Sequence, residues 1–479
     1  MAYKESGSAL VLALIAICLL SFLGLFMALD ANTGVKISDN YEAQIQATYA
    51  ALAGLNHSRV LIRGLAIDDV LKGPDGTFSS SGTYLTQARR FDFRNPLPMS
   101  VFYGLDLSNP AIDLSGMFDD GVISTGFCNG INGTVLIPPA GIGLLAANPY
   151  RSGTLVTSRY FVKVTDNNGE ASEITGDPAD NPFIDGDGIT IVRSVGLSKT
   201  FAEVTGPITR LNSVAVFEAR FKRLTAFDVG PALVLLGSSV DASFGGTYEI
   251  IGDRSAGIGT IDTDMADAGF PDQIIAAAAG PGGRITGGGL PDPAVQDISA
   301  EVFANINRSS LMSPRFLSEF IHNRASRFAD FYFDGDRAWA NGAGPYGGAY
   351  DIYRPWNASG QDPKVTVVNG NLHIEGNYSG GGLLIVTGTL SYAGQFMFNG
   401  LVLVIGSGKI VADGLGQGIQ GGLIVAALEE QNGNAVFGSP AISIGGASRI
   451  SANRDAVRMA LSLIPVSQIS FREIAGSDP

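Results

Sequence analysis

KESGSALVLALIAICLLSFLGLFMALD, residues 4–30, carries no charged side chain between Gly7 and Leu29, and Asp30 ends the run. As a helix rising about 1.5 Å per residue, the run spans roughly 34 Å, enough to cross the hydrocarbon core of a bilayer. A removable secretory signal has an apolar region of only about 7–15 residues and then a small-x-small cleavage site. Here the run is longer, Phe26 or Leu29 stands where a small residue is needed, and Asp30 intrudes. The run therefore reads as a retained anchor. Lys4 before it and Asp30 after it favour a cytoplasmic N-terminus and an exported C-terminal mass.

At 479 residues the chain is long enough for two or three domains. A formal charge of -14 and a pI near 4.7 give a surface that repels phosphate backbones, and no basic cluster with interleaved aromatics stands against it. Nucleic acid is therefore not an expected partner. With 63 glycines and only 16% charged residues, many tight turns between buried strands are expected. Cys18 lies inside the apolar run and Cys128 stands alone downstream. A bridge would require anchor and exported part to meet, so none is expected, and Cys128 reads as a small buried apolar residue.

Helical patterning resumes beyond Asp30. Ile37, Tyr41, Ile45, Tyr49, Leu52 and Leu55 recur at three- and four-residue steps, one apolar stripe on an amphipathic helix. Asp39 with Glu42 has capping-box spacing and Gly34 precedes it, so a bend or restart is expected between about Asn32 and Asp39. The whole reads as a kinked helical spine over residues 8–62, whose second half packs its stripe on the protein's own head. A plain anchor has no need of that second half.

KESGSALVLALIAICLLSFLGLF, followed by YAALAGLNHSR, resembles the N-terminus of PilX-type minor pilins of type IV pilus systems. The resemblance implies a leader of residues 1–7 removed on the cytoplasmic side by a prepilin peptidase, with Gly7 and Ser8 as the processing site. It also implies an apolar segment that anchors in the inner membrane and later joins a filament of other pilins. Major pilins carry a Glu at the fifth mature position; here that position is Leu12, and Glu5 lies in the leader. The lack of that carboxylate implies a subunit at the tip rather than the repeating one. A pseudopilin of a type II secretion system shares the same logic with different partners.

Residues 63–226 read as an α+β head. RYFVKVTDNNGEASEITGD, DGDGITIVRSVGLS and NSVAVFEARFKRL each alternate as strands with polar turns, and the series is similar to the sheet of PilX-type proteins. The acidic turns offer oxygen ligands for Ca2+, from Asp166, Asn168 and Glu170 in one loop and Asp185 and Asp187 in another. Neither has the twelve-residue order ending in a bidentate Glu. The competing reading is that Asp, Asn and Gly sit there because tight turns require them.

Residues 227–465 carry three similar apolar runs, GLLIV from Gly382, GLVLV from Gly400 and GLIVA from Gly422. One buried strand per roughly 20 residues suggests stacked coils of a β-solenoid-like module; a sandwich of short strands is the alternative. PALVLLGSSVDASFGGTYEIIGD (231–253) reads as a first coil placed before a helical insertion at about 255–360, with the Gly-rich 276–293 leading into it. Inside the insertion, Ser313 and Pro314 are expected to start a helix burying Phe316, Leu317, Phe320, Ile321 and Phe328.

No Walker loop, nucleophile elbow or His-Glu-x-x-His is present, and His57, His322 and His373 are not spaced as metal ligands. The chain is therefore expected not to be an enzyme and to need no cofactor. The alternative, a membrane-tethered β-helix enzyme acting on polysaccharide, would use acid pairs such as Asp334 and Asp336. Tyr346, Tyr350, Tyr353 and Trp356 are a candidate sugar-contacting cluster, with packing against the module as the rival role.

Overall fold

The computed structural model describes residues 6–65, 67, 70, 100–107, 109, 111–112, 129–131, 134–137, 141–147, 154–167, 187–199, 212–264, 270–280, 282–289, 294–305, 307–341, 344–345 and 363–474. One long helix, an antiparallel sheet and a large, mostly parallel sheet make up an α+β protein. Helix α1 (Ser6–Leu61) is 56 residues long and unbroken. The expected break at 32–39 does not occur. No proline interrupts the segment, Asp39 lies inside the helix and so caps nothing, and nothing packs near Gly34 to force a bend.

The head sheet has the order β5-β4-β3-β2-β1, antiparallel throughout, with β1 (Ile142–Ala147), β2 (Thr154–Asp166), β3 (Ile189–Ser198), β4 (Ser213–Lys222) and β5 (Ser467–Glu473). The last strand belongs to the head although the chain reaches it only after the module, so the module is an insertion between adjacent strands. Lys222 lies directly opposite Ser467.

α1 lies along one face of this sheet, against Tyr160, Val162, Val192, Ala215 and Phe217. The residues it buries there are Ala43, Ala47, Ala50, Ala51, Leu55 and Ser58. A methyl group at Gly196 would collide with the Ala47 carbonyl, and one at Gly54 with the Ser194 hydroxyl. Small residues on both sides let helix and strand backbones approach closely. This corrects the expected packing face: Ile37, Tyr41, Ile45 and Tyr49 point to solvent, and of that stripe only Leu55 is fully buried.

In the module three parallel ladders run side by side. The first stacks Phe331–Asp334, Lys364–Asn369, residues 382–386, 400–406 and 421–427, then Leu233–Gly237, Ile258–Asp262 and Val295–Asp297. The second runs through Arg337–Ala340, Leu372–Glu375, Thr389–Gly394, 409–415, 441–447 and Asp241–Phe244. The third joins residues 378–381, 396–399, 418–421, 449–452, Glu249–Ile251 and Arg284–Thr286. Leu384, Val402 and Val425 of the first, Leu372, Leu390 and Ile410 of the second, and Tyr378, Phe396 and Ile419 of the third share one core.

The first ladder is buried on both faces. Its outward Val365, Leu383, Leu401 and Ile424 are covered by Leu317, Phe320 and Ile321 and by Val457 and Leu461 of α3 (Arg454–Ser462). That double burial is why GLLIV, GLVLV and GLIVA are unbroken apolar runs rather than alternations. In the second ladder, buried Leu372 and Ile374 alternate with exposed His373 and Glu375, as a half-solvated strand should. The third run is in register at Gly421, not Gly422. Gly382, Gly400 and Gly421 stack with φ of 109°, 147° and 146°, and a Cβ on Gly400 or Gly421 would strike the carbonyl of the glycine below.

The segment 231–253 precedes the insertion in the chain, yet in space Leu233 stacks on Leu423, the end of the later coils. The expected insertion at 255–360 is likewise smaller. Five ladder strands fall inside it, including Arg284–Thr286 from the Gly-rich stretch, and its described helices lie within 270–277 and 299–328. There the Ser313 hydroxyl accepts the Phe316 N–H at 3.2 Å, Pro314 opens α2 (Pro314–Glu319), and a π-helical turn (Phe320–Arg324) follows. Arg63, just past α1, ties the head to the module. Its Nε donates to the Leu463 carbonyl at 3.0 Å and its terminal nitrogen to the Phe328 carbonyl and, at 3.2 Å, to Asp330.

Candidate functional site

The feature that most demands a partner is α1. From Leu10 to Leu29 its large apolar side chains are exposed on every side of the helix, and it is long and apolar enough to cross a membrane by length and composition. Charge-free, all-round apolar helices are stable only where lipid or protein surrounds them.

Further along, the helix has two different faces. At about 100° per residue, Tyr41, Ile45, Tyr49 and Val60 lie roughly opposite the alanine seam that grips the sheet. Tyr41 is 69% and Tyr49 67% exposed, so neither is held by the head. The flanks between the faces are polar: Gln46 accepts the Ser198 hydroxyl at 2.9 Å, and Gln44 donates to the Val214 carbonyl at 3.4 Å. Tyr41, Ile45 and Tyr49 thus form an outward apolar stripe on the same helix as the exposed Leu10–Leu29 segment. Near the end, His57 Nδ1 lies 2.8 Å from the Tyr160 hydroxyl, whose pKa is pushed up by burial.

The candidate metal loops are placed in part. Asp187 uses one oxygen to accept the Asn167 side-chain amide at 2.9 Å and the other to accept the Ile189 N–H at 2.7 Å. With Gly188 at φ 78° it makes the turn into β3. Asp166 ends β2; Asn168, Glu170 and Asp185 lie outside the described residues, as do Tyr346, Tyr350, Tyr353 and Trp356. Among the described residues no group of three or more His, Cys, Asp or Glu side chains is arranged to hold a metal ion. Gly7 and Ser8 fall in the first turn of α1, and residues 1–5 of the expected leader lie outside the described residues.

Asp334 and Asp336 begin two side-chain ladders at a corner of the module. Asp334 accepts the Asn369 amide at 2.9 Å; Asn369 in turn accepts the Thr387 hydroxyl at 3.1 Å. Asp336 accepts the Asn371 N–H at 2.8 Å and its side-chain amide at 3.1 Å, and Asn371 accepts the Thr389 N–H at 2.8 Å. The bonds from Asn371 hold the Asp336 carboxyl below its usual range. These triplets, Asp-Gly-Asp, Asn-Gly-Asn and Thr-Gly-Thr, are one turn repeated along the stack. His373 is 2.8 Å from the Ser391 hydroxyl on the exposed outer face of the second ladder, and His57 and His373 lie in different parts of the fold.

One polar cluster escaped sequence reasoning. Arg193, Glu218 and Arg472 stand directly opposite one another on β3, β4 and β5, with Glu218 bonded to Arg193 at 2.8 Å and to Arg472 at 2.7 Å. In NSVAVFEARF, Glu218 steps by two from Val214 and Val216, and that shared face with apolar residues is the signal that was there to be used.

No protein-family model matches the chain, and no curated protein matches it. Among solved structures, it is similar to the crystal structure of the competence-associated pilin ComZ from Thermus thermophilus. The two are 9% identical over 90% of this chain and 97% of that chain, with a TM-score of 0.19. A likeness at that level carries no argument about fold or function.

Proposed function

We propose that this protein is a non-enzymatic, membrane-anchored subunit of a type IV pilus-type filament, a minor pilin of the PilX-like kind. In this reading a prepilin peptidase cuts between Gly7 and Ser8, α1 holds the chain in the inner membrane, and the same helix then packs among other pilins. The single observation that carries the reading is the combination on α1 of an exposed membrane-length apolar segment with the outward Tyr41, Ile45 and Tyr49 stripe. A bare anchor would leave that stripe in water for no gain; a filament covers it with neighbouring helices. Leu12 at the fifth mature position gives no carboxylate for a neighbour's terminal amine, which suits a subunit that initiates or caps assembly.

The three ladders, read as a three-sided β-solenoid, would be displayed beyond the head as a contact module. The test is to shear surface filaments from cells carrying the intact gene and from cells carrying Tyr41→Asp with Tyr49→Asp. The expected result is the wild-type chain in the sheared fraction and the variant retained in membranes at normal abundance. Equal recovery of both in the filaments would contradict the proposed role of the stripe, and absence of both would contradict the filament reading itself.

A further inference from the structure

We propose that residues 421–473 act as a closing clasp, so that neither the module nor the head completes its fold until this last part of the chain is in place. Residues 231–297, although made early, hold only one coil with a strand in all three ladders; beyond it they add Ile258–Asp262 and Val295–Asp297 to the first ladder and Arg284–Thr286 to the third. In them Asp241–Phe244 pairs with 441–444, Glu249–Ile251 with 449–451, and Leu233–Leu236 with 423–426. Repeat stacks of fewer than about three coils do not bury a core of their own. The later arm, from Phe331 onward, stacks successive coils through Lys364, Gly382 and Gly400 and meets that number without help. The early arm must therefore wait for the coil at 421–452 as its template.

The same segment serves the other two parts. Val457, Ala460 and Leu461 of α3 seal the outer face of the first ladder. Val466 enters the head core, and β5 supplies Arg472 to Glu218, 254 residues away in sequence. The Ser462 carbonyl accepts the Gly64 N–H at 2.8 Å, just beyond the end of α1. Contacts closed over such separations form late, because loop entropy is lost before any contact repays it. For a chain whose N-terminus stays in the cytoplasm while the exported part crosses from its helix-proximal end onward, this order keeps the exported part open until translocation ends. That consequence rests on the anchored reading above; the folding order does not.

The test is pulse-labelled hydrogen exchange with mass spectrometry during refolding of the full chain in detergent. Peptides from 364–405 are expected to gain protection first. Peptides from 233–262 should follow about tenfold more slowly, together with 421–452. Leu423→Asn, at the joint, is expected to delay or abolish protection of 233–262 while 364–405 still protects. Leu384→Asn, inside the later arm, should delay both. Protection of 233–262 ahead of 421–452, or an unchanged rate for 233–262 in Leu423→Asn, would overturn the clasp. Neither result would touch the anchored reading, which is judged by where the chain resides.

Discussion

Glu218 is held at 3% side-chain exposure between Arg193, at 4%, and the half-exposed Arg472. Removing the carboxylate breaks its bonds to the buried Arg193 and to Arg472, so Glu218→Ala is expected to cost about 3–5 kcal/mol in urea unfolding, and Glu218→Gln less. At the module corner, Gly400 has φ 147° and no room for a Cβ, so Gly400→Ala is expected to cost about 3 kcal/mol by the same measurement. Asp336 carries a pH prediction. Its folded pKa lies below the ordinary 3.8 because Asn371 donates to it twice. Its contribution is therefore present above the unfolded pKa and is lost as pH falls through the lower folded value. The melting-temperature gap between wild type and Asp336→Asn should be constant above about pH 5 and shrink below about pH 4, and a gap that widens in acid would be the wrong sign.

Among the elements, α1 shows what sequence can and cannot say. Its length was legible from the charge-free run and the apolar periodicity beyond Asp30, but its packing face was not. By apolar side-chain area Ile45 and Tyr49 outrank Ala47 and Ala51, whereas close approach to Gly196 selects the alanines. Ala47→Leu is therefore expected to destabilise by about 1–3 kcal/mol through overpacking, while Tyr41→Ser should stay within about 0.5 kcal/mol. Thermal unfolding of the two variants side by side checks both. The apolar runs from Gly382, Gly400 and Gly422 were readable because one ladder is buried on both faces, although the third glycine in register is Gly421. The joining of Leu233 to Leu423 was not, since register between distant strands leaves no local pattern. β5, SQISFRE, is exposed along its whole length and polar enough to pass for a tail. The candidate acids told a similar story: Asp187 and Asp336 were found, but their oxygens are occupied by turn and corner hydrogen bonds.

At the scale of the whole molecule, three parts meet at one place. α1 ends at Leu61, Arg63 and Gly64 bond to Leu463 and Ser462, and β5 begins at Ser467 beside Lys222. The module is thus carried on two neighbouring strands of the head, and the head is carried on a helix whose other half is bare and apolar. That bare half is long and apolar enough to cross a membrane, and the proposed anchor and filament role rest on it. The most direct test is the N-terminal mass of the protein purified from its own membranes. The account predicts a mature chain starting at Ser8. A chain that starts at Met1, or one that starts near Ala31 without the apolar segment, would contradict it.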